Sequence, residues 1–189
     1  VSLFLIVALP FLGALLPGLM NSAGRQACAG ITFMVTLTAF IGLLTNAPAV
    51  FAGEVVMAGV DWLPSLGLNF TLMLDGLGFF FAFLILGIGL LIIAYARFYL
   101  AREDNMGEFF TYLLLFQGAM VGIVMSNNIL LLLVFWELTS LSSFLLIGYW
   151  KHLPEGRQGA RMAFAVTGMG GLAMIGGMLI LGQIVGSYD

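Results

Sequence analysis

One acidic residue lies where a membrane helix is most apolar. Glu137 is near the middle of Asn128–Tyr149, an apolar run of about 22 residues, which is long enough to span a bilayer as one helix. An ionised carboxylate at the centre of such a helix costs at least ~2.5 kcal/mol on insertion scales. Because such groups usually face a bundle interior or a wet cavity, Glu137 is predicted to handle protons or ions.

Small hydroxyl residues follow Glu137 along the same predicted helix. Ser140 lies one turn away at i+3, and Thr139 and Ser143 extend a hydroxyl flank on the side of Trp136. These hydroxyls could hydrogen-bond the carboxylate or hold a water beside it. Two interpretations remain, a carboxylate that exchanges a proton and a static ion pair between helices. The first is favoured because the predicted spans contain no cation.

Three further residues are candidates to support this site. Asp75 directly precedes the apolar run Gly76–Ala96, where an aspartate accepts free amide hydrogens of a starting helix, so an N-cap is predicted. Lys151 and His152, just beyond the fifth predicted helix, are predicted to be interfacial anchors. The alternative for His152 is a proton relay between the cytoplasm and a buried site, because histidine titrates near neutral pH.

Other polar and small residues have structural interpretations. Gln117, central in the fourth predicted span, is expected to hydrogen-bond another helix. Gly118-x-x-x-Gly122 and the glycines between 168 and 177 indicate close helix packing. Cys28 is the one cysteine, which excludes an intrachain disulfide and a C-x-x-C metal spacing, and it is expected to pack in the core.

The composition defines the class of protein. Hydrophobic residues make up 62% of the chain and charged residues 8%, and the mean hydropathy is +1.14. No water-soluble domain of this size could cover itself with polar groups, so the chain is predicted to be an integral membrane protein in contact with the lipid bilayer. No basic patch suited to nucleic acid is present.

Hydropathy predicts an all-α membrane protein, a bundle of about six transmembrane helices in a single domain over 1–189. The predicted spans are Leu3–Met20, Ala27–Leu44, Gly76–Ala96, Phe109–Met125, Ile129–Tyr149 and Met162–Ile184.

The basic residues predict the orientation. All of them follow odd-numbered spans: Arg25, then Arg97 and Arg102, then Lys151, Arg157 and Arg161. By the positive-inside rule the N-terminus is outside. The longest connection, Thr45–Thr71, then lies on the external face, and its alternating apolar residues and turn formers predict a short hairpin-like element.

Four stretches resemble a known family of membrane proteins. They are LDGLG at 74–78, ARFYL at 96–100, FFTYLLLFQGAMVGIVMSNNILLLLVFWELTSLSSFLLIGYW at 109–150 and GGLAMIGG at 170–177. They are similar to the N-terminal part of the antiporter-like subunits shared by multisubunit Mrp-type Na⁺/H⁺ antiporters and by the proton-pumping arm of respiratory complex I.

Within this family the chain resembles the large A-type subunit of Mrp antiporters. Trp136–Ile147 matches the W-E-L-T-S-x-S-S-F-L-L-I pattern of that subunit, whereas the complex I counterpart usually reads W-E-G-V-G-L-C-S-Y. Complex I also carries R-V-G-D where this chain has GMGG at 168–171. Both branches commonly place an acid before the asparagine that starts the fifth helix, but Asn127 stands there and no role of that acid transfers.

The resemblance implies a mechanism and a setting. Glu137 takes the place of a glutamate that pairs with a lysine on a broken seventh helix, so the sequence is expected to be the N-terminal part of a longer subunit. The implied function is exchange of Na⁺ or another monovalent cation for protons. The implied setting is a multi-pass subunit in the bacterial plasma membrane, with other subunits as partners and no cofactor of its own.

Two alternatives come from other classes. The chain could be a proton-pumping subunit of a redox complex, of the NADH:quinone oxidoreductase or membrane-bound hydrogenase type. It could instead be a scaffold in which Glu137 forms a structural pair. The flanking motifs favour the antiporter over the redox pump, and the midplane position of Glu137 argues against the scaffold. Whether a metal ion binds is not defined by the sequence, since helical sodium sites are assembled from several helices.

Overall fold

The computed structural model describes residues 2–20 and 24–188 of the chain. The helices are α1 (Leu3–Gly13), α2 (Leu15–Leu19), α3 (Arg25–Leu44), α4 (Ala47–Phe51), α5 (Gly76–Tyr99), α6 (Met106–Met125), α7 (Ile129–Ile147) and α8 (Pro154–Val185). The strands are β1 (Val56–Leu63) and β2 (Leu68–Leu74). Within the described residues, five helices are long and apolar enough to cross a membrane, namely α3, α5, α6, α7 and α8. The prediction of an all-α, multi-pass membrane protein is confirmed.

The first and last predicted spans differ from the helices. Leu3–Met20 is divided into α1 and α2, because Pro17 has no N–H to donate to the Gly13 carbonyl. The last helix begins at Pro154, well before the predicted Met162. Its first two turns are polar, so hydropathy does not detect them, but a proline in the first turn is compatible with a helix start.

The predicted hairpin-like element between the second and third spans is an antiparallel β-hairpin. Val56 pairs with Leu74 and Val60 with Phe70. The turn ends at Gly67, whose φ of 69° lies in the left-handed region that favours glycine. The short helix α4 precedes the hairpin and was not predicted.

The bundle has an apolar core that joins the hairpin to the helices. Leu72 and Leu74 of β2 are fully buried among Leu86 of α5, Val121 of α6 and Leu131 of α7. A second cluster lies around Ile93 and Phe110 and contains Cys28. Cys28 is buried and free, which confirms its packing role. By contrast, only 6% of an apolar 18-residue stretch of α8 is buried against other described residues.

The connections that carry basic residues meet at one end of the bundle, called here the charged end. Arg25 donates to the carbonyls of Ala101 (2.6 Å) and Leu100 (2.7 Å), which belong to the α5–α6 connection. Trp150, after α7, donates from Nε1 to Asp104 at 3.2 Å. This grouping agrees with the alternating loop pattern, whereas the side on which each terminus lies stays a prediction.

The opposite end is formed by the hairpin and the α6–α7 turn. The amide of Asn127 donates to the Thr71 carbonyl at 2.9 Å, and the side chain of Asn128 donates to the Gly67 carbonyl at 2.9 Å. The amide of Ile129 donates to the Tyr188 carbonyl at 2.8 Å. The hairpin therefore fixes the start of α7, the helix that carries Glu137.

Candidate functional site

Glu137 lies in the middle of α7. The helix starts at Ile129 because the side chain of Asn128 accepts the Leu131 amide hydrogen at 3.1 Å, which caps the apolar run. The Glu137 side chain is half-buried. Its Oε1 atom is buried and has no hydrogen-bond partner among residues 2–20 and 24–188. A buried polar oxygen without a partner is uncommon and costly, so this carboxyl group is a candidate for a functional role.

Gly171 of α8 lies directly against the carboxylate. A Cβ atom built on Gly171 would overlap Oε1 of Glu137 and would lie 3.1 Å from its carboxyl carbon. Gly170, the preceding residue, has open space at the same position. The absence of a side chain at Gly171 is therefore what admits the Glu137 carboxylate between α7 and α8. The glycine run indicated close packing, but it did not identify which glycine meets the carboxylate.

A cleft of about 300 Å³ lies between α7 and α8. Gly171, which contacts the Glu137 carboxylate, lines this cleft, whereas Glu137 itself does not. The cleft volume is enough for several water molecules, since one water takes about 30 Å³ of liquid. Its lining includes four hydroxyl residues and two glycines: Thr139, Ser140, Ser143, Thr167, Gly170 and Gly171. The predicted hydroxyl flank is thus present beside Glu137. Thr167, on the facing helix, was not predicted.

Three of these four hydroxyl groups donate their hydrogens within their own helices. Thr139 donates to the Trp136 carbonyl at 2.6 Å, and Ser140 donates to the same carbonyl at 3.4 Å. Thr167 donates to the Ala163 carbonyl at 2.8 Å. Of the two roles that the sequence left open for these hydroxyls, Thr139 and Ser140 do not form a hydrogen bond to the carboxylate. Serine and threonine in a helix bond readily to the carbonyl three or four residues earlier. Their oxygen atoms keep lone pairs that can accept hydrogen bonds from water.

The other candidate supporting residues lie away from this cleft. Asp75 accepts the Gly78 amide hydrogen at 2.7 Å, which confirms the predicted N-cap of α5. Lys151 forms a 2.5 Å salt bridge with Glu108 at the charged end. His152 is exposed in the connection between α7 and α8. None of the three lines the cleft beside Glu137.

Gln117 lies elsewhere in the bundle, and both ends of its amide are hydrogen-bonded. It is 4% exposed; Thr36 of α3 donates to its Oε1 at 3.0 Å, and its Nε2 donates to the Ile85 carbonyl of α5 at 3.4 Å. The predicted interhelical role of Gln117 is therefore confirmed.

The predicted close packing at glycines is present in α6 but not at most glycines of α8. A Cβ on Gly118 would lie 3.0 Å from the Phe11 ring, and one on Gly122 would overlap Phe135, so both glycines allow close helix packing as predicted. In α8, Gly168, Gly170, Gly176 and Gly177 have no described neighbour at that position. In the described ranges, no group of three or more histidine, cysteine or acidic residues is placed to hold a metal ion.

Two family models match the chain. Residues 62–110 match the N-terminus of NADH-ubiquinone oxidoreductase (complex I) chain 5. Residues 126–189 match the transmembrane region of NADH:quinone oxidoreductase and Mrp antiporters. The second match includes both Glu137 and Gly171.

Curated relatives match almost the whole chain. A probable K⁺/H⁺ antiporter protein of the A/B type from Rhizobium meliloti is 48% identical over 188 residues, which are 100% of this chain and 19% of the relative. A Na⁺/H⁺ antiporter protein of the A1 type from Staphylococcus aureus is 42% identical over 180 residues, which are 95% of this chain and 22% of the relative. The chain thus spans about a fifth of the length of these relatives.

Two solved complexes contain a similar fold. A chain of the Mrp complex from Dietzia sp. DQ12-45-1b superposes with a TM-score of 0.82 at 32% identity, covering 100% of this chain and 20% of that one. A chain of an archaeal membrane-bound sulfane sulfur reductase superposes with a TM-score of 0.83 at 19% identity, covering 98% of this chain and 28% of that one. The second likeness concerns the fold alone.

Proposed function

We propose that this chain is part of a monovalent cation/proton antiporter, since it resembles the N-terminal part of the large A-type Mrp subunit, as its motifs predicted. In this proposal Glu137 takes part in proton translocation. The observation that carries it is the buried Oε1 atom of Glu137, which has no hydrogen-bond partner among the described residues. This atom lies against Gly171, which lines a cleft with four hydroxyl residues.

In this proposal the Glu137 carboxyl group gains and loses a proton. An ionised carboxylate inside a membrane is costly unless it is paired or hydrated, and a neutral carboxyl group is far less costly. Water in the cleft would hydrate the ionised form and would carry the proton to and from it. A cation brought to the Oε1 side would stabilise the ionised form and release the proton. Movement of a cation in the complete protein would thereby drive uptake or release of the proton at Glu137.

The cation and the partners belong to the complete complex. One relative is named for K⁺/H⁺ exchange and another for Na⁺/H⁺ exchange, so we infer a monovalent cation, with Na⁺ as the first to test. In this proposal residues 1–189 form one transmembrane domain of a longer subunit. The longer polypeptide assembles with other membrane subunits in a bacterial plasma membrane and works as a transporter rather than an enzyme.

The test is exchange by the complete complex carrying Glu137→Gln, reconstituted in vesicles with an imposed pH gradient. Glutamine keeps the size and removes the titratable group, so addition of Na⁺ or K⁺ is expected to dissipate no gradient, while the complex assembles normally. Glu155→Gln is the matched control, because Glu155 is an exposed acid in the first turn of α8, and it should leave exchange unchanged. Near-normal exchange by Glu137→Gln would overturn the proposed role.

A redox-driven proton pump is the second candidate function, since one matching family model describes a chain of complex I. A visible absorption spectrum of the purified native complex separates the two candidates. A colourless complex supports the antiporter. Stoichiometric flavin or iron–sulfur absorption would assign the chain to a redox-driven pump, with Glu137 in its proton path.

A further inference from the structure

A second cavity lies at the charged end of the bundle, between α6, α7 and α8. Its volume is about 220 Å³. Phe144, Leu145, Gly148 and Ala160 form an apolar part of its wall. Phe164 packs behind Phe144, with the ring centroids 5.3 Å apart. The cavity therefore has an apolar wall formed by residues of α7, the α7–α8 connection and α8.

The same cavity is bordered by three cationic side chains, those of Lys151, Arg157 and Arg161. Lys151 forms a salt bridge with Glu108, and the Tyr112 hydroxyl donates to the same carboxylate at 2.6 Å. Three cations thus face one carboxylate. The border of the cavity carries excess positive charge.

Arg157 and Arg161 hold that excess charge. They lie four residues apart on α8 and so share one face of the helix. Neither forms a salt bridge with any residue in the described part of the chain. Two guanidinium groups on one face can bind a phosphate through paired N–H donors, a geometry that suits arginine better than lysine.

We propose that this cavity binds an anionic phospholipid, with the phosphate against Arg157 and Arg161 and an acyl chain against Phe144 and Leu145. Basic pockets between transmembrane helices recognise such headgroups. The apolar wall favours a lipid over free phosphate, because free phosphate would leave that wall without a partner. This site is separate from Glu137 and does not depend on the proposed exchange activity.

Native mass spectrometry of the complete detergent-purified complex tests the site. The complex is titrated with phosphatidylglycerol and with phosphatidylcholine of the same acyl chains. The wild-type complex should bind phosphatidylglycerol preferentially. Arg157→Gln with Arg161→Gln should weaken this binding about 10- to 30-fold, since each lost charge near a lipid surface removes a few-fold or more of the attraction. Arg157→Lys with Arg161→Lys, which keeps both charges, should retain most of it.

The matched control is Arg97→Gln with Arg102→Gln, which removes two charges from the same end of the chain but outside this cavity. The control should bind phosphatidylglycerol like the wild type. Equal binding of the two lipids by the wild type, or equal loss in the variant and the control, would overturn the proposal.

A second measurement uses only the wild-type complex, so it tests the site even if the arginine variants fail to assemble. Photoactivatable phosphatidylglycerol with the reactive group on its acyl chain should label residues in 144–164 of the complete complex. Labelling that occurs only elsewhere in this chain would contradict the site, and labelling that phosphatidylcholine competes equally well would do the same.

Discussion

Gln117 and Glu137 are two polar side chains inside one helical bundle, and their surroundings are opposite. Gln117 is bonded on both sides of its amide, to Thr36 and to the Ile85 carbonyl, so it links three helices. Glu137 has a buried oxygen that no described residue satisfies, and Gly171, which lines a cleft, lies against it. The neutral side chain therefore has hydrogen-bond partners, whereas the ionisable side chain has a buried oxygen without one.

We propose that this difference separates a structural polar group from a functional one. A polar group that is hydrogen-bonded to neighbouring helices inside a membrane contributes to helix association. A carboxyl group with an unused buried oxygen is costly when ionised, so its state responds to protons, water and nearby cations. We therefore expect substitutions at Gln117 to affect assembly of the complex and substitutions at Glu137 to affect cation/proton exchange.

The largest expected effect on stability comes from placing a carboxyl group at position 117. Gln117→Glu places a carboxylate where Gln117 Nε2 now donates to a carbonyl, so the ionised form faces the Ile85 oxygen and loses a bond. The cost is expected to be at least ~2.5 kcal/mol, as for a charge at the centre of a membrane helix. The measurement is the yield and apparent Tm of the assembled complex.

The control for this change is Gln117→Met, which keeps the approximate length without a charge. It should lower stability by only about 1 kcal/mol through the lost hydrogen bonds. If Gln117→Glu assembled as well as the wild type, the proposed difference between the Gln117 and Glu137 positions would be wrong.

A smaller effect is expected from Gly171→Ala. The added methyl group overlaps the Glu137 carboxylate and displaces it, so exchange should fall about 10- to 100-fold, a scale typical of displacing a reacting group by about 1 Å. The pH profile of the remaining exchange should also shift, because the hydration of the carboxyl group changes. Exchange is measured across a pH series in vesicles.

Gly170→Ala is the matched control, since it adds the same methyl group one residue away, into open space. It should leave both the rate and the pH profile close to those of the wild type. Equal effects of the two alanines would show that helix flexibility, and not contact with Glu137, explains the loss.

The smallest effect is expected at Asp75. Asp75→Ala removes the acceptor for the Gly78 amide and should lower stability by about 1 kcal/mol, as for other N-caps. Asp75→Asn keeps the acceptor and should cost little. The apparent Tm of the complex checks both variants. A changed pH profile of exchange in Asp75→Asn would instead connect Asp75 to proton transfer and weaken the comparison.

Much of the fold and part of the site could be predicted because their signals are local. An apolar run defined α7 and placed Glu137 at its middle, and Asp75 before a run of apolar residues predicted a cap. Gln117 in an apolar span predicted an interhelical bond. Each of these inferences needs only the sequence within one helix and the cost of polar groups in lipid.

The remaining features depend on how helices face one another. The contact between Gly171 and Glu137 requires the relative rotation of α7 and α8, which a glycine run does not specify. Thr167 joins the cleft for the same reason. The early start of α8 was missed because its first turns are polar, and these turns also provide Arg157 and Arg161 for the second cavity.

Infrared difference spectroscopy of the complete complex between low and high pH tests proton exchange at Glu137 directly. A carbonyl-stretch band of a protonated carboxylic acid should disappear as pH rises, be missing in Glu137→Gln and be retained in Glu155→Gln. The same band at full intensity in Glu137→Gln would show that another group exchanges the proton and that Glu137 does not.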